Sequence, residues 1–124
     1  MGHEFSGEII KVGENLKDFH EGDRVVGINI VREKGYGDTK ALGIMVDGAF
    51  AEYVSVPRDF LFHVPENASL QECTLIESYA VAIRALKLSN IQENERILII
   101  GGGNIWLTTL DTLISEKHPE YVGV

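Results

Sequence analysis

Apolar and polar positions change their period near residue 65, and the chain divides there. From Gly7 to Val56 the pattern is short and strand-like. Glu8–Val12, Arg24–Val31 and Ala49–Val56 carry the β-branched and aromatic residues. Gly13-Glu14-Asn15 and Glu21-Gly22-Asp23 supply turn chemistry between them. The pattern predicts an antiparallel, barrel-like or sandwich-like region. The polar, Gly-bearing stretch between Arg32 and Asp47 is expected to be a surface loop. After Val64-Pro65-Glu66 the spacing becomes helical through Leu70, Thr74, Ile76, Ala80, Val81, Ile83 and Leu86. Ser69 and Glu72 stand at capping-box spacing, which places the helix start at Leu70.

Arg96–Ile100 is a short, continuous apolar run of the kind that parallel sheets bury on both faces. Gly101-Gly102-Gly103 ends it. Leu107, Leu110, Leu113 and Ile114 return at helical spacing, Pro119 stops that helix, and Tyr121–Val124 starts another strand. The order β region, helix, β, Gly-rich turn, α, β predicts a fold running from α+β to α/β.

Composition narrows the function. Nineteen acidic against eleven basic residues give a formal charge of -8, with no Lys/Arg cluster, so neither nucleic acid nor an anionic membrane surface is an expected partner. No apolar run approaches the ~20 residues of a membrane span, and Met1 is not followed by a signal-peptide pattern. A cytoplasmic location is expected. Cys73 is the sole cysteine, which excludes an internal disulfide and a four-cysteine zinc site.

The chemistry-bearing stretch is Gly2-His3-Glu4-Phe5-Ser6-Gly7. Imidazole and carboxylate are both zinc ligands, and a catalytic zinc takes three protein ligands and keeps a position open. Successive side chains of a regular strand point to opposite faces, so His3 and Glu4 share one ion only where the backbone is irregular. Alone, the pair reads more readily as two surface side chains than as a metal site. His20, His63 and His118 have no partner at metal-ligand spacing.

Four motifs occur in one order: Gly2–Ile9, Glu21-Gly22-Asp23-Arg24-Val25, Asp47-Gly48-Ala49-Phe50-Ala51-Glu52-Tyr53-Val54, and Ile97–Gly103. In that order they resemble the zinc-dependent medium-chain alcohol/polyol dehydrogenases of the sorbitol, threonine and glucose dehydrogenase type, over nearly the whole chain. The resemblance implies a partial GroES-like β-barrel over residues 1–66. Residues 67–124 would then be a hinge helix and the first β-α-β of a Rossmann domain. It implies hydride transfer between a carbinol carbon and a nicotinamide, with zinc polarising the oxygen. By the same resemblance His3, Glu4 and Glu77 are metal ligands, although Ser78 replaces the family's usual proline. Cys73 reads as a buried, inert thiol.

In the dinucleotide fingerprint G-x-G-x-x-G, Gly101 and Gly103 match the first two glycines, and Trp106 occupies the third. An indole there is expected to push the helix off the strand or to turn outward. NAD(P) binding by this chain, through Gly101 and Gly103, is therefore doubtful, and the resemblance implies that the residue that separates NAD from NADP is to be expected beyond Val124. The family's cysteine ligand and structural-zinc loop have no counterpart here, and His3 and Glu4 are expected on a flexible terminus. Weak or absent zinc follows as an expectation. Two readings stand: a fragment of a dehydrogenase of alcohols or polyols, inactive alone, or a non-catalytic GroES-like module. The second would act through protein contacts, as a homo-oligomer or with a complementing chain.

Overall fold

The register of the first three strands follows from where their small and apolar residues fall. In this computed structural model, which describes residues 1–32, 39–92, 95–117 and 121–123, β1 (Phe5–Glu8) pairs antiparallel with β2 (Arg24–Gly27). Phe5 stands opposite Gly27, and its ring fills the space a side chain at Gly27 would need. β2 pairs in turn with β5 (Leu61–His63), giving the antiparallel order β1-β2-β5. A separate hairpin joins β3 (Ile30–Arg32) to β4 (Thr39–Ala41). β4 thus lies inside the stretch expected to be a loop, and residues 33–38 of that stretch are outside the described ones. Ala49–Val56, expected as a strand, forms none.

The chain divides into two units, Met1–Glu77 and Ser78–Val124. In the first, Val26, Val64 and Cys73 form a buried cluster with Ala68 and Leu70 against it, so the thiol is a core group. Arg24 ties the strand to the chain leading into the helices by donating from Nη2 to the Ala68 carbonyl at 2.5 Å.

The helix starts at Leu70, where the Ser69 hydroxyl accepts from the Glu72 amide and the Glu72 carboxylate accepts from the Ser69 amide. Its expected continuity fails. α1 (Leu70–Cys73) ends and α2 (Ile76–Ser89) begins after a break at Thr74-Leu75. Two side chains converge on the break: Thr74 Oγ1 donates back to the Leu70 carbonyl at 3.1 Å, and Ser6 Oγ from β1 donates to the same carbonyl at 2.5 Å. The Leu70 carbonyl also keeps its helical bond from the Thr74 amide at 3.1 Å, so three donors share it, and back-bonding of this kind bends helices. α2 ends at Asn90 in the left-handed conformation, φ 52°.

In the second unit, β6 (Arg96–Leu98) and β7 (Tyr121–Gly123) pair in parallel, with α3 (Asn104–Lys117) between them in sequence. Asn104 Nδ2 donates to Ser78 Oγ at 2.7 Å, and Tyr79 Oη donates to Asp111 Oδ2 at 2.8 Å, tying the start of α2 to α3. Ser78, Ala82, Leu86, Thr108, Thr112 and Leu113 are buried. The expectation that the β6 run is covered on both faces is corrected: Leu98 is 66% and Ile100 85% exposed. A two-stranded sheet with few helices offers too little surface to cover it, and Val81, Leu107 and Ile114 stay open for the same reason. Residues 118–120 and Val124, where the proline stop and the end of the last strand were expected, lie outside the described residues.

Candidate metal centre

Residues 1–4 precede β1 and are not part of any strand, and Gly2 has a φ of 92°. This is the irregular backbone that lets two adjacent side chains face one point. His3 and Glu4 do so together with Glu77, which the break between α1 and α2 places in the first turn of α2. One potential ligand atom from each of the three lies within 4.8 Å of the others. His3 is exposed, while Glu4 and Glu77 are half-buried.

The expectation of a flexible terminus is corrected. The Ala49 amide donates to the Gly2 carbonyl and the Phe50 amide to the Met1 carbonyl, each at 2.9 Å. These bonds form because backbones meet at van der Waals range. A Cβ on Gly48 would stand 2.2 Å from the Gly2 oxygen and 2.5 Å from the Met1 oxygen, and one on Gly43 would stand 2.1 Å from the Gly2 oxygen. Only glycine permits that approach, and the segment carrying His3 is held by it. Gly48 lies in one of the four ordered motifs, and Gly43 lies outside them. Neither has a local sequence signal, because their role depends on a chain segment more than forty positions away.

Asn29 was also missed. It lies between β2 and β3, and its Nδ2 donates to Glu77 Oε1 at 3.1 Å. Burial pushes the Glu77 carboxyl above its ordinary range. The negative charge of Glu4 and a hydrogen bond with it push in the same direction, and His3 opposes them. Two carboxylates drawn together beside an imidazole favour a shared proton or a cation between them.

The remaining histidines go elsewhere. His63 stacks on Phe19 with ring centroids 4.5 Å apart, the His20 amide donates to Asp23 Oδ2, and His118 lies outside the described residues.

In the second unit, Gly101 and Gly103 sit in the exposed turn between β6 and α3. Trp106 does not turn outward. Its ring is half-buried, its Cδ1 lies 3.5 Å from where a Gly101 Cβ would be, and its Nε1 donates to the Ile99 carbonyl at 3.1 Å. The indole folds back over the glycine-rich turn and caps the carbonyl just after β6.

Residues 1–66 match the alcohol dehydrogenase GroES-like domain. The chain belongs to the zinc-dependent medium-chain dehydrogenase family. Among its relatives in that family is the (R,R)-butanediol dehydrogenase of Bacillus subtilis (strain 168), 36% identical over 91% of this chain and 35% of the relative. The sorbitol dehydrogenase of the same organism is 36% identical over 86% of this chain and 34% of its own length. Among solved structures, galactitol-1-phosphate dehydrogenase from Escherichia coli superposes with a TM-score of 0.84 at 30% identity, covering 97% of this chain and 38% of that one. A putative zinc-binding dehydrogenase from Sinorhizobium meliloti 1021 bound to NADP gives 0.86 at 30% identity, with 97% and 38% covered. The chain thus spans about a third of the length of these medium-chain dehydrogenases.

Proposed function

We propose that this chain supplies the metal-binding GroES-like part of a zinc-dependent, NAD(P)-linked alcohol or polyol dehydrogenase. In this reading residues 1–66 form a partial catalytic domain, and residues 67–124 form a hinge helix and the start of a Rossmann domain. One observation carries the reading. His3, Glu4 and Glu77, from the chain terminus and from α2, bring ligand atoms within 4.8 Å of one another.

The donor set fits the metal. One imidazole and two carboxylates make three protein ligands with a position left for water or substrate, as a catalytic zinc requires. A divalent cation would also offset the paired negative charges that raise the Glu77 pKa. Zinc bound there supplies a Lewis acid for a substrate oxygen. The protein's own contribution is to hold three ligands in place. The Gly43–Gly48 contact with residues 1–2 fixes His3 and Glu4, and the α1–α2 break fixes Glu77.

The dinucleotide is a different case. Trp106 fills the position of the third fingerprint glycine and lies against the first, so the turn does not reproduce the three-glycine cradle. The turn by itself does not hold NAD(P), and the isolated chain does not turn over. Monitoring NADH and NADPH absorbance with simple alcohols, polyols and sugar alcohols tests this: no turnover is expected, and sustained turnover by the pure chain overturns the claim of inactivity.

A second reading has one observation in its favour. β1 is an edge strand among the described residues, and with Val25 of β2 and Leu61 of β5 it lines a groove of about 570 Å³ that also includes Ile10, Leu16, Tyr53 and Val54. An open edge beside apolar surface suits strand addition by another polypeptide. A non-catalytic module of this kind, paired with its own copies, predicts concentration-dependent association in sedimentation. A chain that stays monomeric at every concentration counts against self-pairing.

A further inference from the structure

We propose that Asn29 is a positioning residue that holds the Glu77 carboxylate for the cation, an inference that rests on the metal-binding reading of His3, Glu4 and Glu77. Asn29 lies in the two-residue link between β2 and β3, and backbone bonds fix that link on both sides. The Ile28 amide donates to the Phe60 carbonyl at 3.0 Å, and the Leu42 amide donates to the Asn29 carbonyl at 2.8 Å. Leu42 and Phe60 are themselves buried, at 2% and 8% exposure. The base of the Asn29 side chain is therefore anchored to core residues, and only its own torsions remain to be set.

The side chain reaches forty-eight positions along the sequence to donate from Nδ2 to Glu77 Oε1. An ionised carboxylate only accepts hydrogen bonds, so an amide N–H is the half of the Asn29 side chain that suits it. Glu77 gains from such a partner because Glu4 gathers at the same point, and like charges at close range favour rotation of one carboxylate away. The Asn29 donor opposes that rotation. It engages one oxygen and leaves Oε2 unengaged by Asn29, on the carboxylate that gathers with His3 and Glu4. Hydrogen bonds to ligating carboxylates are a recurrent part of metal sites, and their loss typically costs about 10–100-fold in affinity.

The test is titration of the full chain with Co(II), following visible ligand-field absorption and obtaining Kd by competition with a chelator. Asn29→Leu removes the donor at similar size. We expect one Co(II) per wild-type chain, a Kd about 10–100-fold weaker for Asn29→Leu, and a displaced absorption envelope. The metal-free circular dichroism of the two proteins should match. Asn29→Ser, too short to reach Glu77 and tolerant of a loop backbone, gives the same readout if the leucine variant does not fold. Wild-type affinity and spectrum in a folded Asn29 variant overturn the positioning role while leaving the metal site standing. Failure of the wild-type chain to take up Co(II) overturns the metal reading and this inference with it.

Discussion

Gly48→Ala is the sharpest perturbation of the candidate site, because it adds one methyl group against the backbone that carries His3 and alters no proposed ligand side chain. That Cβ would meet the Gly2 oxygen at 2.2 Å, the Gly43 Cα at 2.5 Å and the Met1 oxygen at 2.5 Å. All three are backbone atoms, so no side chain can rotate to make room. The chain then has two routes. If the segments stay together, overpacking costs about 1–3 kcal/mol. If residues 1–2 swing away, the bonds from the Ala49 and Phe50 amides are lost, at a net of about 0.5–1.5 kcal/mol each. Either route gives about 1–3 kcal/mol, which lowers the melting temperature by about 4–8 °C per kcal/mol in a domain of this size.

The second route also carries His3 away from Glu77, so metal affinity should fall with stability. Gly13→Ala is the control. Nothing lies within 4 Å of the Cβ it would gain, and its φ is not in the left-handed region. It should leave stability unchanged or raise it by about 0.4–1 kcal/mol. Thermal melts of the three proteins with and without zinc decide the matter. If Gly48→Ala melts and binds metal like Gly13→Ala, the glycine contact does not hold the terminus and the reasoning fails.

Three further outcomes follow from the same geometry. Ser69→Ala removes the cap of α1 and should cost about 0.5–2 kcal/mol by chemical denaturation; no change would mean that the Arg24 and Ser6 tethers alone set the helix start. Trp106→Phe keeps a ring over Gly101 but loses the bond to the Ile99 carbonyl, for a predicted loss of about 0.5–1.5 kcal/mol, read by far-UV circular dichroism because Trp106 is the sole tryptophan. The folded-state pKa of Glu77 is raised, so its ionisation opposes folding: its own contribution to metal-free stability is greatest below its unfolded pKa and is lost as pH rises through the folded pKa, opposite in sign to the contributions of Asp18 and Glu72, whose pKa values are lowered. Glu77→Gln should flatten this decline in melting temperatures measured from acid to neutral pH, and an unaltered slope would assign it to other groups.

The parts of the fold legible in the sequence were those written locally. Ser69 and Glu72 announced the start of α1 because a capping box is complete within four residues. Val25 and Val26 announced β2, and the apolar run before the glycines announced the parallel strand β6. The break after Cys73 was not legible, since Ser6 acts on Leu70 from sixty-four positions away and the helical spacing runs through the break undisturbed. Nor was the strand content of residues 49–56 as expected. Their apolar character serves a backbone held against residues 1–2 and the groove beside β1, without a ladder of its own.

The candidate site divides in the same way. His3, Glu4 and Glu77 are named by motif resemblance, and one potential ligand atom from each lies within 4.8 Å of the others. Asn29, Gly43 and Gly48 act only through distant partners and carry no local pattern. For the opposite reason, Trp106 looked incompatible with its turn. The spacing of three glycines does not encode that the indole folds back and bonds the Ile99 carbonyl.

Zinc stoichiometry bears most directly on the central claim. The purified full chain, loaded with zinc, freed of excess by gel filtration and assayed by elemental analysis, should carry close to one zinc per chain. His3→Ala and Glu77→Gln, both still folded by circular dichroism, should carry essentially none. No zinc on the wild-type chain, or equal retention by the two variants, contradicts the assignment of His3, Glu4 and Glu77 as the ligands.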